Sequence, residues 1–267
     1  MTGEAGTAVG PAEVVRQIGR TTGTVVAALE GLDEVGLRAP SALPRWSRLT
    51  IACHLRYGAQ ALLRMTDDVA AGRPPSFYPE GRDAQRPGTL EPGAAESPAA
   101  VVDSLREASG ALAARWRTVT DWDAPVVEPG GAAHLGPVTL GRLAILRLTE
   151  VEVHGTDLGL GLGPWSDTFV RAALPMRLAW LPSRRSNHRP VPGDVRRSWL
   201  LAATDAGPTT RLAVDGATVT STPVPPGAPV PDADVVIEAP SRELLALLLG
   251  RSSLPVAADF NRAFPGP

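Results

Sequence analysis

Within the first 160 residues, four stretches of about 20 residues repeat apolar side chains every three or four positions, the period of helices that each bury one face. Residues 11–31 open on Pro11 and carry Val14, Val15, Ile18, Thr22, Val25, Val26 and Leu29. Residues 48–71 carry Leu49, Ala52, Leu55, Ala59, Leu62, Leu63 and Val69, and Gly72, Pro74 and Pro75 stop them. Residues 98–119 start behind Ser97, a natural N-cap, with Pro98 at the first helical position and Val101, Val102, Leu105, Leu112 and Trp116 behind it. Residues 138–158 carry Leu140, Leu143, Ala144, Leu148, Val151 and Leu158. Four such helices predict a four-helix bundle. The connections 72–97 and 120–137 are too long for a plain up-and-down path, and the first, Pro- and Gly-rich with few apolar side chains, is expected to be a structureless cover over a site or disordered.

After Gly163-Pro164 the pattern changes. Residues 166–181 read as one more helix with Pro175 inside it. Short strand-like runs follow at 198–204, 210–214, 217–221 and 234–238, and Asp215-Gly216 between two of them is a hairpin signal. A Leu-rich helix is expected over 241–250. The fold class is therefore α+β: a helical bundle over 1–163 and a small α+β domain over 164–267.

Composition narrows the chemistry. The 26 basic residues against 28 acidic ones give a net charge of −2, which argues against an electrostatic nucleic-acid binder. Every basic residue is Arg, so neither a Schiff-base lysine nor a Walker lysine is available. One cysteine, Cys53, cannot form an internal disulfide, and a reducing cytoplasm is the expected compartment. The N-terminus shows no secretory pattern and no run approaches 18 apolar residues, so no membrane partner is expected. At 43% hydrophobic, the chain can bury a core.

The histidines are few: His54, His134, His154 and His188. Glu150 and His154 are four residues apart on the fourth helix and project from one face. His54 lies midway along the second helix, and facing helices of a bundle can bring their side chains to one ion. Two histidines and a carboxylate make three ligands with an open position, the pattern of catalytic zinc. The bland readings are a helix-stabilising Glu–His pair and a core histidine. Glu152, two residues from His154, falls on the opposite side of the helix, as a solvated or supporting residue. Asp157 reads either as an acceptor for the His154 imidazole or as a helix-end carboxylate in water. Cys53 is expected to pack in the core or else to have a redox or ligand role, Trp46 to pack the entry to the second helix or to line the pocket, and His134 to sit in an exposed loop or to swing toward the site. The Arg-rich run 182–197 reads as a solvated linker that could also steer an anionic substrate.

The blocks LPRWSRLTIACHL (43–55), RLTEVEVHGTDLG (147–159), WLLAATDAG (199–207), ADVVIEAPSRELLALLLGR (233–251) and VAADFNRAF (256–264) resemble, in order, those of the mycothiol-dependent maleylpyruvate isomerase family. That resemblance implies a DinB-like metal-binding bundle with His54, Glu150 and His154 as ligands, and a catalytic arginine for which Arg251 is the best match. It implies zinc and mycothiol as cofactors, and is consistent with an actinobacterial source. The reaction implied is attack of a zinc-held mycothiol thiolate on a small electrophile. The product would be an S-conjugate, the favoured outcome, or the cis–trans isomer of a maleylpyruvate-like acid. The competing readings are a zinc hydrolase with Glu152 or Asp157 as base, and a non-catalytic binding protein on the same fold.

Overall fold

The computed structural model describes residues 9–128, 138–186, 196–216 and 218–264. They fall into two compact units, one within Gly10–Ala132 and Pro137–Phe169, the other within Val170–Pro267. His134, His188 and most of the 182–197 run lie outside the described residues.

The apolar stripes become helices α1 (Pro11–Glu30), α3 (Arg48–Ala70), α5 (Pro98–Trp116) and α6 (Leu140–Asp157), with the short α2 (Glu34–Arg38) and α4 (Arg82–Thr89) between them. In α1 the buried residues are the whole predicted stripe, Val14, Val15, Ile18, Thr22, Val25, Val26 and Leu29. Side-chain caps set three starts: Ser47 accepts from Thr50 N at 3.0 Å, Ser97 from Ala100 N at 3.2 Å, and Thr139 from Arg142 N at 3.3 Å. Helix α3 packs on α5 and α6, and α1 packs on α5 and α6, so the four long helices share one core. Trp116, 1% exposed, fills it and donates its indole N–H to Thr66 Oγ1 at 2.9 Å, which satisfies the one polar atom it carries inside.

One buried cation sits in this core. Arg147, 1% exposed, donates to the Leu55 carbonyl at 2.8 Å and to Ser109 Oγ at 3.2 Å. A Cβ on Gly58 would come within 3.2 Å of its guanidinium, so a small residue is needed opposite it. Burial pulls the Arg147 pKa down to about 10.

The 72–97 connection is not structureless. Phe77 N and Ser76 Oγ both donate to Glu128 Oε1, at 2.7 and 3.1 Å. The Phe77 carbonyl accepts from Tyr57 Oη at 2.7 Å and from Arg64 at 3.2 Å, while Tyr78 stacks on Tyr57 with ring centroids 5.4 Å apart. These contacts fasten the segment to α3 and lead it into α4. The strands β1 (Pro125–Val126) and β2 (Val138–Thr139) pair antiparallel at the entry to α6.

Helix α7 (Asp167–Ser186) continues through Pro175 and leads into the second unit. There β3 (Arg196–Ala203), β4 (Thr209–Asp215), β5 (Thr218–Val224) and β6 (Val235–Ala239) form one sheet in the order β5-β4-β3-β6. The first three run as an antiparallel meander, with Gly216 at φ +56° in the expected turn, and β6 lies parallel to β3. Helix α8 (Ser241–Leu248) follows β6, and a further helix, α9 (Ala257–Ala263), comes after it. Trp199 of β3, 1% exposed, meets the rings of Phe260 and Phe264 at 6.4 and 5.2 Å, so α9 closes the core under the sheet. No helix of the described residues is long and apolar enough to cross a membrane.

Candidate metal centre

Because α3 packs against α6, His54 meets the face of α6 that carries Glu150 and His154. His54 Nε2 lies 2.7 Å from Glu150 Oε2, and His154 Nε2 lies 3.4 Å from the same oxygen. One donor atom from each residue falls within 4.8 Å of the others, a spacing that a single ion can bridge. The two imidazole side chains are 18% and 15% exposed and that of Glu150 is 42% exposed, so the group opens toward solvent on the carboxylate side.

The neighbours fix the rings. His154 Nδ1 is 3.0 Å from Asp157 Oδ2, a buried carboxylate, which commits that nitrogen and leaves Nε2 facing Glu150. Trp46 stacks on His154 at 5.8 Å and 20°, and meets His54 edge-on at 5.4 Å. The turn that presents Trp46 is tied to the end of α6: Ala42 N donates to the Asp157 carbonyl at 2.8 Å, and Arg48 Nε to the Leu158 carbonyl at 3.1 Å. Arg45, at φ +69°, is the one described non-glycine residue with left-handed backbone, so the turn holds a strained residue beside Trp46. Trp46 thus walls the site, the second of the two parts expected of it.

The electrostatics follow from this geometry. Desolvation opposes charge on Glu150, but the contacts from His154 and His54 outweigh it and hold its carboxyl well below the usual range. Burial likewise works against a charged His154, yet Asp157 and Glu150 raise its pKa to about 9. Burial dominates at His54 and pushes its pKa down. Such an oxygen and two imidazole nitrogens, with their rings already oriented, suit a borderline divalent ion such as zinc.

Other residues named from the sequence have surroundings of their own. Glu152 is on the opposite side of α6, as its spacing requires, but it is buried there and not solvated. It accepts from Thr21 Oγ1 at 2.9 Å, from Ser166 Oγ at 2.6 Å and Ser166 N at 3.1 Å, and from Gln17 at 3.4 Å, which bolts α1 to α6. Cys53 is fully buried, and burial pushes its thiol up to about 11, so it is no nucleophile. Arg251 belongs to the second unit, just past α8, and donates to the Leu249 carbonyl at 3.2 Å.

A helical bundle whose core helices converge two histidines and one glutamate defines the class: a bundle with a candidate metal site, followed by an α+β part. The chain belongs to the mycothiol maleylpyruvate isomerase family, whose N-terminal domain its residues 18–159 match. Its fold is similar to the crystal structure of the mycothiol-dependent maleylpyruvate isomerase, with a TM-score of 0.65 at 19% identity over 91% of this chain and 90% of that one. A crystal structure of a histidine-to-alanine mutant of that enzyme is similar to the same degree. Among curated proteins, none matches this chain by sequence.

Asp157→Ala is expected to weaken zinc binding by about 10–100-fold, the usual cost of losing the partner that orients a metal-binding imidazole. Asp157→Asn, which keeps an acceptor for Nδ1–H, should recover part of it. Chelator competition on the two variants measures both; equal zinc affinity in Asp157→Ala and the parent would remove Asp157 from the site.

Proposed function

We propose that the chain is a metal-dependent, mycothiol-dependent S-transferase or isomerase acting on a small electrophile. The observation that carries this reading is the meeting of His54, Glu150 and His154 around one point in a bundle of this family. A zinc ion held there would supply a cation that favours the deprotonated form of a thiol at neutral pH. The chain's own residues supply the rest. Glu150 offers a carboxylate kept ionised by its two imidazole neighbours, and Asp157 engages His154 Nδ1, so that Nε2 is the nitrogen a metal would take in exchange for its proton. Trp46 keeps water from one side of both rings. The thiol must come from outside, because the single cysteine is buried and protonated. The fate of the adduct, release as a conjugate or return of the thiol after rotation, is set by the electrophile.

The hydrolase reading loses its bases: Glu152 is engaged by Thr21, Ser166 and Gln17, and Asp157 faces His154. Calorimetric titration of mycothiol into the zinc-loaded protein, beside a metal-free control, tests the proposal. Metal-dependent binding with proton release is expected. Firmly held zinc without mycothiol binding would overturn it. Arg251→Ala is expected to keep zinc bound while turnover falls at least tenfold, the scale of a lost group that stabilises developing charge; unchanged kinetics would remove Arg251 from the reaction.

A further inference from the structure

Arg147 is a charge that packing does not account for. It is 1% exposed, no carboxylate pairs with it among the described residues, and its Nε is buried without a hydrogen-bond partner. Burying a guanidinium so incompletely satisfied costs free energy, and a well-packed apolar side chain in such a place is often neutral or stabilising. The two bonds it does make run across the bundle. Nη1 donates to the Leu55 carbonyl of α3 at 2.8 Å, and Nη2 to Ser109 Oγ of α5 at 3.2 Å. A planar fork holds two such acceptors at fixed positions, which a flexible ammonium does not. Gly58 keeps the passage open, since a Cβ there would stand 3.2 Å from Nη1.

The fork acts at the level of the candidate ligands. Leu55 follows His54 directly in α3, and Glu150 follows Arg147 by one turn of α6. The bond to the Leu55 carbonyl therefore joins the backbone that carries His54 to the turn that precedes Glu150, and the side chains of those two residues meet at 2.7 Å. We infer that Arg147 is a positioning residue, whose fork fixes the spacing of α3 and α6 at which His54, Glu150 and His154 share one ion. The inference rests on the reading of those three residues as a metal site and is independent of the thiol or electrophile that comes to it.

The test reads the metal alone, with no thiol present. Zinc affinity by chelator competition, the visible absorption of the cobalt(II)-loaded chain and thermal unfolding of the metal-free chain are measured on the full-length parent, Arg147→Met, Arg147→Lys and Trp116→Phe. Trp116→Phe is the control for a loosened core, because it removes the indole bond to Thr66 between α5 and α3. Arg147→Met is expected to bind zinc about tenfold or more weakly, the usual cost of losing a group that orients metal ligands, and to alter the cobalt absorption. Arg147→Lys keeps the charge without the fork, so its weaker zinc binding separates geometry from repulsion between the buried cation and the ion. Trp116→Phe should bind zinc like the parent. Zinc held as tightly or more tightly in Arg147→Met would overturn the inference, as would equal losses in Arg147→Met and Trp116→Phe, or parent-like affinity in Arg147→Lys. Where Arg147→Met fails to fold or unfolds below the control, Arg147→Lys decides by the same criterion. A parent that takes no zinc would sink the metal site and this inference together, whereas failure of mycothiol to bind would sink the thiol reading and leave this one standing.

Discussion

His54→Ala and His154→Ala are each expected to abolish stoichiometric zinc binding and turnover while leaving the helical content of the bundle intact. Each histidine is one of three ligands, and the loss of an outer partner alone costs roughly 10–100-fold in metal affinity, so the loss of a ligand should exceed about a hundredfold. That is at least about 2.7 kcal/mol of binding free energy. The helices should survive, because the apolar stripes of α3 and α6 are untouched and neither imidazole belongs to them. Chelator competition and far-ultraviolet circular dichroism, run on the same samples, separate loss of metal from loss of fold. Zinc retained at one equivalent in both variants would show that the ion is held elsewhere, and the reading of the site would fall with it.

The difference between what the stripes foretold and what they did not has a physical cause. Helices α1, α3, α5 and α6 were legible because burial enforces their period: Val14, Ile18, Val25 and Leu29, or Leu143, Ala144, Leu148 and Val151, can reach the core only at that spacing. Helix α4 was not, because it buries no residue and holds Pro87; contacts made by Tyr57, Phe77 and Glu128 on either side bring it in. Helix α9 was missed for a related reason, since only Phe260 and Ala257 mark its inner face. The site followed the same rule. Spacing alone assigns Glu150 to the face of His154 and Glu152 to the other. It says nothing of what waits on that other face, which is a polar group from α1 more than a hundred residues earlier in the chain. Arg147 holds a core position in the stripe of α6, and only the structure shows that Gly58 across from it on α3 leaves room for its guanidinium.

Gly207→Ala is expected to destabilise the second unit by about 2–4 kcal/mol, an overpacking cost of about 1–3 kcal/mol with a hydrogen bond lost on top. A Cβ at this position would stand 1.9 Å from Ser241 Oγ, 2.9 Å from Ala203 Cβ and 3.0 Å from Asp205 Oδ1. Those atoms form a joint between the turn after β3 and the start of α8. Asp205 accepts from Ser241 N and from Gly207 N, at 3.0 and 3.1 Å, and from Ser241 Oγ. The joint ties the block WLLAATDAG to the block that opens α8, which explains why a glycine stands there. The contact with Ser241 also tells how to check the account: Gly207→Ala combined with Ser241→Ala removes the nearest obstacle, so the double variant should lose less than the sum of the single losses. Strict additivity in thermal unfolding would mean the clash lies with Ala203 or the backbone. The same joint responds to acid. Desolvation opposes ionised Asp205, but the donors from Ser241 and Gly207 win and lower its carboxyl below the ordinary value of 3.8. Its contribution is therefore full above that value and is lost as pH falls through the folded-state pKa, so the deficit of Asp205→Asn against the parent should shrink on acidification below the ordinary aspartate range. A deficit that stays constant with pH would place the stabilisation in geometry that both side chains share.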